Sequence, residues 1–325
     1  MPLALTRELR VQAGTQSAFQ TGVTPTIQLR GIEELALRSK NEVVMLEDMT
    51  LGLAGPSQAV VAGIGGEGSV KAWCSYEHLA YWLDNLLGQA TPSGAGPYTR
   101  AYAAPGASAP TPRILSLVKG TSGVGAYVLV GGLLSSMTLR LEQSKPLMLN
   151  GDLVGNKMAT DTLESLSDVA VNPIMADHMS TIHWDAWSGT MGATALDKCY
   201  VRMMELKVEP DRSLRPCFGS LSKDAYAERA WNGSLRLSLE FNSTTKTDVD
   251  AIIAGTITQK QVQMVWANST RTFTVQFCGT VKDDVEIFGD DDGVVTAELT
   301  LERTYHTTFA NWLKMSLVNG SATLV

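Results

Sequence analysis

The chain is poor in the residue types that most often carry chemistry. It has four cysteines and four histidines among 325 residues. Cys74, Cys199, Cys217 and Cys278 stand far apart and form no CxxC pair. That spacing argues against a zinc site and predicts reduced, buried thiols of a cytoplasmic product. Charge is scarce as well. Only 18% of residues are charged and the net charge is −7, against the usual quarter for globular chains. The shortage of charge suggests that partners cover part of the surface. No run of Lys or Arg occurs, which excludes gripping nucleic acid by counterion displacement. The most apolar stretch, Val124 to Leu134, is broken by Gly125, Gly131 and Gly132 and is too short to span a bilayer. Met1 to Gly14 carries Arg7 and Arg10 but no apolar core with a cleavage site, so a signal peptide is not expected. There is no GxSxG elbow and no GxxxxGK loop. No catalytic, cofactor-binding or metal-binding residue is assigned, and the chain is not expected to be an enzyme.

What the sequence does contain is alternation of apolar and polar residues, the period of a half-buried strand. Leu235, Leu237, Leu239 and Phe241 alternate with Ser234, Arg236, Ser238 and Glu240. Val295, Ala297, Leu299 and Leu301 alternate with Thr296, Glu298, Thr300 and Glu302. Phe273, Val275 and Phe277 repeat the pattern, as do Met137, Leu139 and Leu141. These segments predict antiparallel sheets with one face on a core, hence a mainly β fold of sandwich or barrel type.

Helices are few. Tyr76 to Leu87 places Leu79, Trp82, Leu83, Leu86 and Leu87 on one face, and Gly88 supplies a stop. A short helix is expected from Val249 to Ala254, ended by Gly255. Near the C-terminus, Thr308 could cap a helix with the face Phe309, Trp312, Leu313 and Leu317. Gln89 to Arg113 holds Pro92, Pro97, Pro105, Pro110 and Pro112 and reads as one long extended loop (89–113). Gly155 to Leu196 is weakly patterned and reads as a connector.

The order of elements repeats. Val60 to Ala62, a turn, Gly68-Ser69-Val70-Lys71-Ala72-Trp73 and a helix form the first series. Ala230-Trp231, a turn, Gly233-Ser234-Leu235-Arg236-Leu237 and a helix form the second. Further strands follow each helix. The expectation is a duplicated β domain: 1–155 with an N-terminal arm, a connector at 156–196, and 197–325 with a C-terminal helix.

Three local patterns invite chemistry. Gly63-Ile64-Gly65-Gly66-Glu67-Gly68 fits GxGxxG, but a strand-like run follows it rather than the helix a dinucleotide needs, so a hairpin loop is expected. Asp177, His178, His183 and Asp185 lack the spacing that would place two ligands on one helix face and read as connector. Asp290-Asp291-Asp292-Gly293 reads as a hairpin turn rather than a calcium loop.

The ordered set of features resembles the tail tube (major tail) proteins of siphophages, especially the longer members. The resemblance rests on a leading arm with Thr21 to Pro25, the strand–Gly-Ser–strand–helix unit from Val60 to Gly88, and Leu134 to Leu141 followed by Leu147 to Gly155. It implies a β-sandwich or small barrel with a flanking helix, whose edge strands pair around a ring. The rings would stack into a hollow tube that passes DNA without binding it specifically. Partners implied are further copies of the chain, and the tape measure, tail terminator and tail tip proteins. No cofactor and no membrane are implied, and the place is the virion tail after assembly in the host cytoplasm. A duplicated chain would close as a trimer with pseudo-sixfold symmetry; one true tube domain per chain would close as a hexamer. The helix face Leu79, Trp82, Leu83 and Leu86, and the strands around Leu139 and Leu237, are the expected assembly elements, with Gln89 to Arg113 as an arm toward a neighbour. Other readings are the inner tube of a contractile tail or secretion system, a tandem β-sandwich adhesin with Trp184 and Trp187 as its platform, and a dinucleotide-dependent enzyme.

Overall fold

The computed structural model describes residues 9–46, 58–106, 108–256, 258–282, 286–291 and 293–324. The start of the Met1 to Gly14 stretch, 1–8, and Asp292 of the acidic run lie outside these. The first half of the chain forms β1 (Arg10–Gln16), β2 (Ile27–Gln28), β3 (Ile32–Ser39), β4 (Glu42–Leu46), β5 (Gln58–Gly63), β6 (Gly66–Trp73) and α1 (Leu79–Leu87). Then come β7 (Tyr98–Ala103), β8 (Ile114–Thr121), β9 (Gly125–Glu142), β10 (Met148–Gly155) and β11 (Lys157–Asp161). The second half forms β12 (Met179–Ala186), β13 (Ala195–Leu196), β14 (Val201–Glu209), β15 (Arg212–Arg215), β16 (Ala225–Glu228), β17 (Asn232–Glu240) and α2 (Ser243–Ile253). It closes with β18 (Gln259–Asn268), β19 (Arg271–Val281), β20 (Glu286–Asp291), β21 (Val294–Arg303) and β22 (Leu313–Asn319). The mainly β reading holds.

One broad antiparallel sheet runs through both halves, in the order β3–β6–β10–β9–β14–β17–β21–β20. A smaller sheet belongs to each half. The first is β2–β1–β8–β9–β11; the second is β12–β18–β19–β22, with β13 on the outer side of β12, β7 of the first half added beside β22, and the end of β19 paired to β21 of the broad sheet. Strand β9 belongs to two sheets because it bends at Gly131. That residue has φ of 72°, and a Cβ on it would lie 2.6 Å from the carbonyl oxygen of Phe19, so only glycine fits the turn. The apolar rows of the broad sheet, among them Leu35, Leu139, Leu149, Leu206, Leu237 and Leu299, join those of the smaller sheets in one hydrophobic core. Each such leucine, fully buried, contributes about 1.5–3 kcal/mol over its exposed state.

Along the chain, the pairings pass through one order twice. In the first half, β3 pairs with β6, a hairpin (β4–β5) lies between them in sequence, α1 follows β6, and β10 and β9 continue the sheet. In the second half β14, the hairpin β15–β16, β17, α2, β21 and β20 take the same places. The stretch expected as a connector carries β11 on the first smaller sheet and β12 and β13 on the second.

The helix at Leu79 is present, and it is buried on every side rather than on one face. Its polar residues are satisfied internally. Asp84 accepts from Tyr102 Oη at 2.8 Å and Arg113 Nε at 2.9 Å. Asn85 donates to Arg113 O at 2.6 Å and to Gly132 O at 2.9 Å, and accepts from Leu134 N at 2.6 Å. The second helix ends at Ile253 with Gly255 at φ 72°.

Two expectations fail. The C-terminal helix is the strand β22, paired with β19 on one side and β7 on the other. Spacing at Trp312, Leu313 and Leu317 fits either period over so short a run. The ladders to β19 and β7 make the choice, and Asn311 caps the strand's start, its side-chain oxygen accepting from Trp312 N at 2.8 Å and Leu313 N at 3.2 Å. The proline-rich stretch is not one loop reaching outward. Its proline-free window, Tyr98 to Ala103, is strand β7, and its Arg100 is 1% exposed. Arg100 donates to Asn319 Oδ1 at 3.0 Å and Ser321 O at 2.8 Å, tying the stretch to its own chain.

Met315 separates the strand from the helix, because it lies off the helical face yet is 2% exposed in β22. Met315→Ala is expected to lower stability by about 2–4 kcal/mol, with Ser316→Ala near neutral, in urea unfolding. Equal, small effects would contradict the strand.

Candidate assembly surface

The seam between halves is the pairing of β9 with β14. Met137, Leu139 and Leu141 face Val208, Leu206 and Met204 on the core side, and all six are nearly inaccessible. On the other side Thr138 faces Lys207 and Arg140 faces Glu205, with Arg140 Nη1 3.8 Å from Glu205 Oε2. Half-exposed ion pairs of this kind contribute at most about 1 kcal/mol, so the apolar row and the strand ladder hold the seam.

The solvent face of the broad sheet is rich in charge. Reading across the registers, it presents Glu34, Glu67, Glu142, Asp152, Glu205, Glu240, Glu298 and Glu302 against Arg38, Lys71, Arg140, Lys207 and Arg236. Acidic groups predominate. Several are held by local partners. The Lys145 ammonium hydrogen-bonded to Glu142 keeps that carboxyl below its ordinary value, and the Glu298 carboxylate raises Arg236 above its own.

The broad sheet ends at β3 and β20. Among the described residues, β3 pairs with β6 alone and β20 with β21 alone. Leu35 O on β3 accepts from Lys119 Nζ at 2.5 Å. Sheet ends left open are sites for another strand to add.

The hairpin β15–β16 is anchored by a buried cation. Arg212 Nε donates to Glu228 Oε1 at 2.7 Å, Nη1 to Asn85 O at 2.8 Å and Leu134 O at 2.7 Å, and Nη2 to Leu86 O at 2.7 Å. Both members of the pair are almost fully buried. Burial pulls the Arg212 pKa down and the Glu228 carboxylate opposes that shift. Two of the accepting carbonyls belong to the last turn of α1, where positive charge is favoured. Nothing in the sequence pattern around Arg212 singles it out; an arginine between Asp211 and Ser213 looks like an ordinary exposed turn residue.

The chemistry-bearing patterns are not brought together. Gly63 to Gly68 is not the expected hairpin loop: it passes from the end of β5 into β6, which pair with β4 and with β3 and β10 rather than with each other, and no helix follows it. His178 Nδ1 accepts from Met175 N at 3.3 Å, while Asp185 accepts from Gly192 N at 2.7 Å and Thr194 N at 2.6 Å. No group of three metal-ligating side chains occurs among the described residues. Gly293 N donates to Asp290 Oδ1 at 2.8 Å at the turn between β20 and β21. Trp184 is 7% exposed and donates to Asp248 Oδ2 at 2.7 Å, and Trp187 packs edge-on against His306, so no aromatic platform forms. All four cysteines are free; Cys74 and Cys278 are buried as expected, whereas Cys199 and Cys217 are exposed. Burial raises the Cys278 thiol to about 12. The expected assembly residues Leu79, Trp82, Leu83, Leu86, Leu139 and Leu237 are all core, and the side chains available for assembly lie on the opposite face and at the sheet ends.

Among the described residues, then, the β fold offers a charged sheet face and two end strands with no further strand beside them, the surfaces of a subunit rather than a cleft with converging side chains. A family model described as phage tail tube protein matches residues 6–302. The chain belongs to the phage tail tube protein family, a structural component of the virion tail. A search of curated proteins returns no match. No helix among the described residues is long and apolar enough to cross a membrane.

Arg212→Met would strand Glu228 and three carbonyls in the interior. The expected cost is about 3–5 kcal/mol, read as a lower urea midpoint together with faster proteolysis between Arg215 and Ala225. A change under 1 kcal/mol would show that the hairpin is held by other contacts.

Proposed function

We propose that this chain is the main tail tube subunit of a siphophage and self-assembles into stacked rings around a DNA-conducting lumen. It acts without catalysis, cofactor or metal. The observation that carries this reading is the continuous broad sheet, joined in its middle by the β9–β14 seam, whose end strands β3 and β20 each pair with one strand only among the described residues. In this reading the chain is two tube domains, 1–155 and 197–325, linked through 156–196, and the doubled pairing order supports it. The seam is then an internal instance of the joint that closes the ring. Three chains would supply six domains, giving a trimer with pseudo-sixfold symmetry rather than a hexamer.

Closing the sheet into a barrel removes its open ends. With the charged face toward the lumen, the excess of carboxylates repels phosphate and lets DNA slide. The tape measure protein would fill the lumen before DNA, with the terminator and tip proteins at the two tube ends. Assembly would take place in the host cytoplasm.

Negative-stain electron microscopy of the purified chain over a concentration series tests this. Rings or hollow tubes with a stain-filled channel are expected. A chain that stays monomeric even with tail tip components added would overturn the reading.

A further inference from the structure

The hairpins β4–β5 and β15–β16 take the same place in the two pairing orders, but among the described residues only β15–β16 is bedded along its length, β4–β5 being tied at its base by Glu42 to Lys223 at 2.7 Å. β15–β16 lies against the first half. Arg212 binds the last turn of α1, the Tyr226 ring is 5.5 Å from that of Phe19, and Asn156 Nδ2 donates to Lys223 O at 2.8 Å. The helix there is wholly buried. Hairpin β4–β5 has the reverse surroundings. Val43, Val44, Met45, Val60 and Val61 are all exposed, from 42% for Val60 to 60% for Met45. A two-stranded hairpin with this much bare apolar surface is marginal by itself. The place that corresponds to the bed of β15–β16 lies at the other end of the broad sheet. There the last turn of α2, which corresponds to the covered turn of α1, leaves Ile253 69% exposed, and Phe288 of β20 is 72% exposed.

We infer that β4–β5 of one copy docks on the α2–β20 end of a second copy, as β15–β16 docks on the α1 end within the chain, and that β3 then continues the sheet onto β20. The inference rests on the ring-forming reading above and names its contact surfaces. The partner is another copy of this chain, held head to tail. Such a contact is heterologous, so each copy keeps a free donor hairpin and a free acceptor end until a ring closes.

Two variants separate donor from acceptor: Val44→Asp with Val60→Asp on the hairpin, and Ile253→Asp on α2. All three positions are exposed, so circular dichroism and thermal unfolding of each variant should match the parent. In analytical ultracentrifugation each variant alone should lose every species above monomer at concentrations where the parent assembles. An equal mixture should give dimers and nothing larger, because one intact donor meets one intact acceptor. A hairpin variant that assembles like the parent overturns this inference and leaves the tube reading standing. A parent that never assembles removes both. Should a variant misfold, Val60→Cys with Ile253→Cys in a Cys199→Ser, Cys217→Ser background replaces it. Intermolecular disulfide ladders are then expected, and only monomeric or intramolecular species would overturn the contact.

Discussion

The fold depends on one constraint: a strand buried on one face must still find partners for both of its backbone edges. Within the chain that demand is met at the centre of the broad sheet, where β9 leaves its own half and pairs with β14. Unpaired backbone groups cost about as much as lost hydrogen bonds, so the seam turns two half-sheets into one. Among the described residues the demand is met on one edge only at β3 and β20. In the proposed tube the same demand would be met once inside the chain, at β9–β14, and once between chains.

Buried polar groups fix the elements beside the seam. Asn85 and Arg212 sit where α1, the bend of β9 and the hairpin β15–β16 converge, Asp84 ties α1 to Tyr102 and Arg113, and each is matched to several partners. A buried ion pair adds little net stability because desolvation offsets attraction. Its effect is selective: a hairpin displaced by one residue would leave Arg212 without its three carbonyls. The apolar rows supply stability, and the polar knot decides which arrangement they stabilise.

Much of the fold was legible in the sequence. The strands around Leu139, Leu237, Leu299 and Phe273 were read from alternation because each has one solvent-facing side, which imposes a strict period of two. The α1 segment was legible from Leu79, Trp82 and Leu83, although its complete burial was not, since Asp84 and Asn85 mimic an exposed face until their partners are known. The C-terminal strand was misread because Trp312, Leu313 and Leu317 suit both periods, and the choice lay in the long-range partners β19 and β7. Strand β7 was hidden among prolines, all of which fall outside Tyr98 to Ala103. The candidate assembly surface was the least legible part. Alternation marks which residues face the core, and for that reason pointed to Leu139 and Leu237, while the end strands and the exposed hairpin depend on which strands pair among the described residues.

The doubled pairing order makes the number of chains per ring the most direct test. Native mass spectrometry of rings released from assembled tubes measures it. The account expects a mass three times that of the chain. Rings of six chains, or even-numbered particles built from face-to-face dimers, would contradict it.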